Sequence, residues 1–369
     1  MARSTADQHW MDRAFALAEN GRWNTAPNPR VGCVIVSGDQ AIAEGWHAQW
    51  GGDHAEVDAL KQLDASDPRL AEATAYVSLE PCNHHGRTPP CTELLIQRGI
   101  RRVVVGMQDP DPRVAGSGID RLRGAGIEVV VLNGQTSGRW LNRRFLSSLE
   151  RGRPWVVLKC AVSPDGFADP PRKQQERGSL PITSAPLRKL THQWRAEEQA
   201  ILVGAGTVAM DDPRLDVREA SGPAPIPVVM DPHGRTSPSA QVYQHPQAVV
   251  WGGHNALPAH VVQLDTSDGP AIESVLKHLH HTGCRSVLVE GGPYTLNGFF
   301  QSGLWDEARW CMGPTPTGGG MPAPALPEGA ILRGAHPYGE DHVRYFVNPH
   351  SADWVGHAPS PTLALPLPA

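Results

Sequence analysis

Apolar positions recur along the first third of the chain with two alternating periods. Residues 11–19 read as an amphipathic helix, 31–36 and 41–45 as a hairpin, and 75–79 as a short apolar strand. Residues 100–105 and 127–131 are further buried strands with helical stretches between them. Such alternation implies a sheet with helices on its faces, whose ligands gather at strand ends, where Glu80-Pro81-Cys82 falls. Residues 133–154 lose the rhythm: Arg143-Arg144-Phe145 and Arg151-Gly152-Arg153-Pro154 are cationic and loop-like. A second α/β series begins at Trp155, with strands expected at 200–203, 227–230, 248–251, 286–289 and 308–311. The chain is therefore expected to form one domain over 1–150 and another over 154–349, with a Pro- and Ala-rich tail over 350–369.

Two domains also suit a chain of 369 residues. Lys and Arg number 33 against 38 Asp and Glu, a net charge of -5 without long runs of one sign, which argues against nucleic acid as a partner. An anionic substrate would need local basic residues. No stretch has the length needed to span a bilayer, and the N-terminus lacks a signal-peptide core, so a cytoplasmic protein without membrane partners is expected. Six cysteines are too dispersed for a disulfide scaffold, and Cys33, Cys160, Cys284 and Cys311 lie in apolar surroundings that suit core thiols.

Cys82 and Cys91 belong to a different pattern. His54-Ala55-Glu56, Pro81-Cys82 and Cys91 place one imidazole, one carboxylate and two thiols within a short stretch. A Zn²⁺ held by three N/S ligands keeps a fourth position for water, and a carboxylate that is not a ligand carries protons. Zinc-dependent base deaminases use this set in this order. His54 and Glu56 are two apart and converge on one target only near a helix start, with Asp53 as the expected N-cap. Cys91 follows Pro89-Pro90 and opens a helical stretch, where positive potential favours the thiolate. Either cysteine alone would read as a core thiol; the ordered set points to metal.

In the second half, Ile201 to Gly204-Ala205-Gly206 is a strand running into a glycine turn, and Val289-Glu290-Gly291-Gly292 repeats the device. A dinucleotide fingerprint would want an acidic residue about twenty positions on at a strand end, whereas Glu219 sits in a polar loop. What remains is a turn that lets phosphate approach backbone N–H groups, with a plain structural turn as the alternative.

Together these segments resemble the bifunctional riboflavin-biosynthesis deaminase/reductase family. The resemblance rests on Pro27-Asn28-Pro29-Arg30-Val31-Gly32, on Gly51 to Glu56, and on Leu79-Glu80-Pro81-Cys82-Asn83-His84-His85-Gly86-Arg87-Thr88-Pro89-Pro90-Cys91. In the second half it rests on Lys159 to Gly166, Arg195-Ala196, Ile201 to Thr207, Asp211 to Arg218 and Val289 to Gly292, so it covers roughly residues 10–345. The long insertion between the cysteines, in place of Pro-Cys-x-x-Cys, is what this family shows. Pro181 stands where many members carry a cofactor-covering Trp, and residues 167–172 and 313–320 also depart from the pattern.

The resemblance implies a cytidine deaminase-like three-layer domain followed by a dihydrofolate reductase-like α/β domain. It implies deamination of 2,5-diamino-6-(5-phosphoribosylamino)pyrimidin-4-one, then reduction of the ribosyl group to ribityl by NADPH. His54, Cys82 and Cys91 would hold Zn²⁺ and Glu56 would be catalytic; Asn28, His47 and His84 would contact substrate. In the reductase half, Lys159, Ser179, Arg195, Asp211, Leu215, Arg218 and Glu290 would meet substrate, the arginines at its phosphate. Ala161, Thr207, Asp211 and Gly292 would meet the cofactor. A homo-oligomer acting on a small phosphorylated pyrimidine is expected. Two alternatives stand beside this reading: a deaminase whose second half no longer binds cofactor, motivated by Pro181, and a zinc-dependent nucleotide-binding regulator without turnover.

Overall fold

A computed structural model describes residues 2–22, 24–85, 89–112, 114–132, 136–173, 177–178, 180–253 and 256–356. The chain divides into two compact units, Met1–Arg151 together with Val355–Ala369, and Gly152–Trp354.

In the first unit the elements are α1 (Ala2–Ala18), β1 (Gly32–Ser37), β2 (Gln40–Trp46), α2 (Ala55–Leu60), β3 (Thr74–Val77), α3 (Cys91–Gln97), β4 (Arg102–Val105), α4 (Ser117–Gly124), β5 (Glu128–Val131), α5 (Thr136–Leu141) and α6 (Arg143–Arg151). The strands form one sheet in the order β2-β1-β3-β4-β5, antiparallel through β3 and parallel from β3 to β5. Successive side chains of a strand point to opposite faces, and both faces here are apolar. Cys33, Ile35, Ala75, Val77, Val103 and Val105 pack under Ala55, Ala59, Leu95 and Leu122 of α2, α3 and α4. Val34, Val36, Tyr76 and Val104 pack under Met11, Ala14 and Phe15 of α1, with Leu141 of α5. The expected three-layer arrangement follows from this two-sided burial.

Two local expectations change. His54, not Asp53, is the N-cap residue of α2, because the Asp53 carboxylate is drawn to Lys61 at 3.0 Å. The stretch expected to be loop-like between 133 and 154 contains α5 and α6. Its apolar signal is thin because the residues that α6 buries are Leu146 with Arg143, Ser147 and Ser148, polar types that do not mark a helical stripe.

The second unit contains β6 (Trp155–Val162), β7 (Phe167–Asp169), α7 (Ala185–Glu197), β8 (Ala200–Gly204), α8 (Ala205–Asp211), β9 (Ile226–Met230), β10 (Val249–Trp251), β11 (Val262–Leu264), α9 (Ala271–His281), β12 (Ser286–Val289), α10 (Pro293–Ser302), β13 (Glu307–Met312), β14 (Met321–Pro322), β15 (Ile331–Tyr338), β16 (Asp341–Val347) and α11 (Pro349–Val355). Nine strands form a sheet in the order β11-β10-β9-β8-β12-β6-β13-β16-β15, parallel from β11 to β13 and antiparallel beyond. Val156, Leu158, Leu202, Val228, Val287 and Val289 face α9 and α10. Ile201, Val203, Val229 and Val250 face a second cluster with Val208 and Leu215. The β15–β16 hairpin was not expected, since Gly334 and Pro337 interrupt its strand signature and the register shifts between Leu332 and Gly334. The tail expected from His350 begins instead as α11, where Ser351 is buried and donates to Asp306 at 2.6 Å; residues 357–369 lie outside the described residues.

Candidate functional site

Each residue of the His-Cys-Cys set is brought in by a different device. His54 is held in extended conformation (φ -71°, ψ 161°) as the N-cap of α2, and Cys91 is the first residue of α3 after Pro90. Cys82 lies in the irregular segment that follows β3. The His54 Nδ1 atom is 3.5 Å from the Cys82 sulfur and 3.3 Å from the Cys91 sulfur, and the Cys91 N–H donates to Cys82 at 3.3 Å. Among the described residues these three form a group whose ligand atoms all lie within 4.8 Å of one another.

One imidazole and two thiols at this separation are the donor set of a Zn²⁺ site with one position left open. A hydrogen bond from Cys91, reinforced by His54, draws the Cys82 thiol well below the ordinary thiol range against its burial, which favours the thiolate there. Glu56, 3% exposed on the first turn of α2, is pushed up to about 7 by burial, with the Cys82 charge adding to the rise. A carboxyl poised there both accepts and returns a proton near neutrality. His47 is buried: its Nδ1 donates to the Asp53 carbonyl at 2.8 Å, and Asn28 Nδ2 lies 3.3 Å from the other ring nitrogen. The His47 and His54 rings meet edge to face at 5.6 Å, which joins Asn28 and His47 to the cluster through His54. His84 is exposed in the segment after Cys82, and Arg87 lies outside the described residues.

The second candidate site lies at the ends of the central parallel strands of the other unit. Glu290 follows β12 directly, and its N–H donates to the Leu202 carbonyl. Its carboxylate is gripped by Arg195 of α7 through two bonds, Nε to Oε1 at 2.9 Å and Nη2 to Oε2 at 2.8 Å. Burial opposes the charge of Glu290, but Arg195 overrides it, with help from Lys159 and His192, and holds the carboxyl at about 2. Lys159 of β6 is half-buried opposite Arg309 of β13, and Ala161 is two residues further along the same strand. The fork of Arg195, expected at a phosphate, is thus occupied by Glu290. Arg218 is exposed and bonds Asp216 at 2.6 Å.

Thr207 lies in the first turn of α8 and Asp211 ends that helix, where Arg172 reaches it at 3.2 Å. Leu215 adopts φ +58°, a left-handed conformation costly for a branched side chain, and buries that side chain in the core. Ser179 lies outside the described residues. The two glycine turns meet: a Cβ on Gly204 would come within 2.6 Å of Thr295 Oγ1, and one on Gly291 within 2.6 Å of Thr295 Cβ. Gly206 and Gly292 beside them face open space, and Gly292 caps α10. Adjoining bare turns at helix starts fit the phosphates of a dinucleotide.

Two residues go unread from sequence. Arg172 pairs with Asp169 at 2.8 Å as well as with Asp211, and nothing in its Pro-rich surroundings marks it. Glu80 is a buried acid whose place just before Pro81-Cys82 was the available signal.

Comparison with known proteins places both halves. Residues 4–107 match the cytidine and deoxycytidylate deaminase zinc-binding region, and residues 154–335 match the RibD C-terminal domain. Riboflavin biosynthesis protein RibD of Aquifex aeolicus is 37% identical over 324 residues, 85% of this chain and 89% of that protein. Its Escherichia coli counterpart is 38% identical over 330 residues, 82% of this chain and 86% of that protein. Among solved structures, Acinetobacter baumannii RibD superposes with a TM-score of 0.82 at 35% identity, covering 93% of this chain and 99% of that one. A Thermotoga maritima diaminohydroxyphosphoribosylaminopyrimidine deaminase/5-amino-6-(5-phosphoribosylamino)uracil reductase superposes at 0.84 with 33% identity and the same coverage.

Proposed function

This chain belongs to the bifunctional riboflavin-biosynthesis deaminase/reductase family, and from that premise we propose which of its residues carry each of the two reactions. It is a deaminase and reductase of riboflavin biosynthesis that uses Zn²⁺ and NADPH. The alternative of a deaminase with an idle second half is not favoured, since the match runs through residues 154–335 as well. The regulator without turnover is set aside on the same ground. The substrates are the diaminopyrimidine ribosyl phosphate and then the corresponding aminouracil.

The observation that carries the deaminase reading is the cluster of His54, Cys82 and Cys91 with the buried carboxyl of Glu56 against it. His54, Cys82 and Cys91 would hold the metal, which when bound would supply a polarised water for attack on the amino-bearing ring carbon. Glu56 takes the proton from that water and delivers it to the departing ammonia. Asn28 and His47, linked to each other and to the Asp53 carbonyl, present the pyrimidine edge. His84 faces the substrate phosphate from the exposed segment.

In the second half, NADPH supplies a hydride when bound. Gly292, Thr207, Ala161 and Asp211 would hold that cofactor. Lys159 and Glu290 border the ribosyl group, and Arg195 holds Glu290 ionised there, while Arg218 and Leu215 complete the substrate side. The enzyme works in the cytoplasm, where thiols stay reduced, as a homo-oligomer, which light scattering tests.

Glu56→Gln tests the assignment most simply: the variant retains Zn²⁺ while its ammonia release falls by about 10²-fold or more. Activity near that of the unaltered enzyme contradicts the role given to Glu56.

A further inference from the structure

Cys82 differs from the other two members of the cluster in having no helix to hold it. His54 and Cys91 stand at helix starts, whereas Cys82 lies in irregular chain between β3 and α3. The residues on either side of it make up for this.

Glu80 is 4% exposed, a burial rare for an acid unless its oxygens are bonded. Here backbone amides bond them. Oε1 accepts from the N–H groups of Gly118 at 2.9 Å and Ile119 at 3.3 Å, and Oε2 from those of Gly116 at 3.0 Å and Asp109 at 3.2 Å. Three of these donors open α4, so the carboxylate also meets the positive end of that helix. On the other side of Cys82, Asn83 Nδ2 donates to the Ser117 carbonyl at 3.2 Å, and Asn83 Oδ1 accepts from Thr92 Oγ1 at 3.1 Å. Thr92 adjoins Cys91, and its own N–H donates to the Cys82 carbonyl at 3.2 Å. The seat is tight, since a Cβ on Gly118 would lie 2.1 Å from the Pro81 carbonyl oxygen.

We propose that Glu80 and Asn83 are positioning residues that clamp the Pro81–Cys82 turn between the starts of α4 and α3 and so fix the Cys82 thiolate for metal binding. This rests on the reading of His54, Cys82 and Cys91 as the zinc ligands. A tetrahedral site needs all its donors in place at once, and groups that orient a ligand without touching the metal typically carry 10–100-fold in metal affinity or activity. Neither residue touches the reacting atoms.

The test uses the full chain loaded with Co²⁺ in place of Zn²⁺, whose thiolate charge-transfer and visible bands report the ligand geometry. In Glu80→Gln one carboxylate oxygen becomes an NH₂ facing two N–H donors, so two of the four bonds are lost. The variant is expected to show shifted cobalt bands, to lose metal to a chelator about 10-fold faster or more, and to lose deaminase kcat by a similar factor. NADPH-dependent reduction of the already deaminated pyrimidine, measured on the same chain, stays at the unaltered level and reports that the protein is folded. Unshifted bands and unaltered metal retention in Glu80→Gln would overturn the proposal. If that variant also loses reductase activity, Asn83→Ala decides: shifted bands with reductase intact support the clamp, unshifted bands refute it. A cobalt spectrum indifferent to Cys82→Ser would show instead that the ligand assignment itself is wrong, and the clamp would fall with it.

Discussion

Glu56 and Glu290 are both buried acids, and their surroundings send them in opposite directions. Burial raises Glu56 to about 7, with Cys82 adding to the rise; at Glu290 the Arg195 guanidinium overrides burial and brings the carboxyl down to about 2. The first is suited to passing a proton, the second to remaining charged. Because the folded pKa of Glu290 lies below the ordinary value of about 4.3, its ionisation stabilises the fold above that value and the contribution is lost as pH falls toward 2. The shift corresponds to something on the order of 3 kcal/mol. Urea unfolding should therefore show Glu290→Gln well below the unaltered protein at pH 7, with the gap narrowing as the pH is lowered through 4 and 3. A gap of constant size would contradict the pairing. The ordered set His54, Glu56, Cys82 and Cys91 was legible because metal chemistry restricts residue type and order. The Arg195–Glu290 pair was not, since two residues 95 positions apart each looked like a ligand contact and only folding shows them in contact.

At the level of elements, the strands buried on both faces were the plainest to read, although the edge strands β2 and β5 were legible too. Residues 31–36, 75–79 and 286–289 carry nearly continuous apolar runs, and each is a central strand. The elements that escaped are those with mixed burial: α6, whose buried face includes serines, and the β15–β16 hairpin at the sheet edge, broken by Gly334 and Pro337. The start of α2 matters most for function. His54 caps it and Glu56 follows within the first turn, which is how two residues two apart reach one target. Inserting one residue between His54 and Ala55, which moves His54 off the cap, should leave α2 formed yet abolish zinc retention, measured as metal per chain after gel filtration. Full metal content in that variant would show that the cap position of His54 is not what aims it.

For the whole molecule, two chemistries share one chain and are separately removable. Stripping the metal with a chelator should stop ammonia release while leaving reduction of the deaminated pyrimidine untouched, because the His-Cys-Cys cluster lies in the first unit and Lys159, Arg195 and Glu290 lie in the second. The decisive measurement supplies the diaminopyrimidine ribosyl phosphate and NADPH together and follows ammonia and NADPH separately. The account predicts ammonia release first, followed by an equal amount of NADPH oxidised. Ammonia without any NADPH consumption, or NADPH consumed with no ammonia, would contradict it.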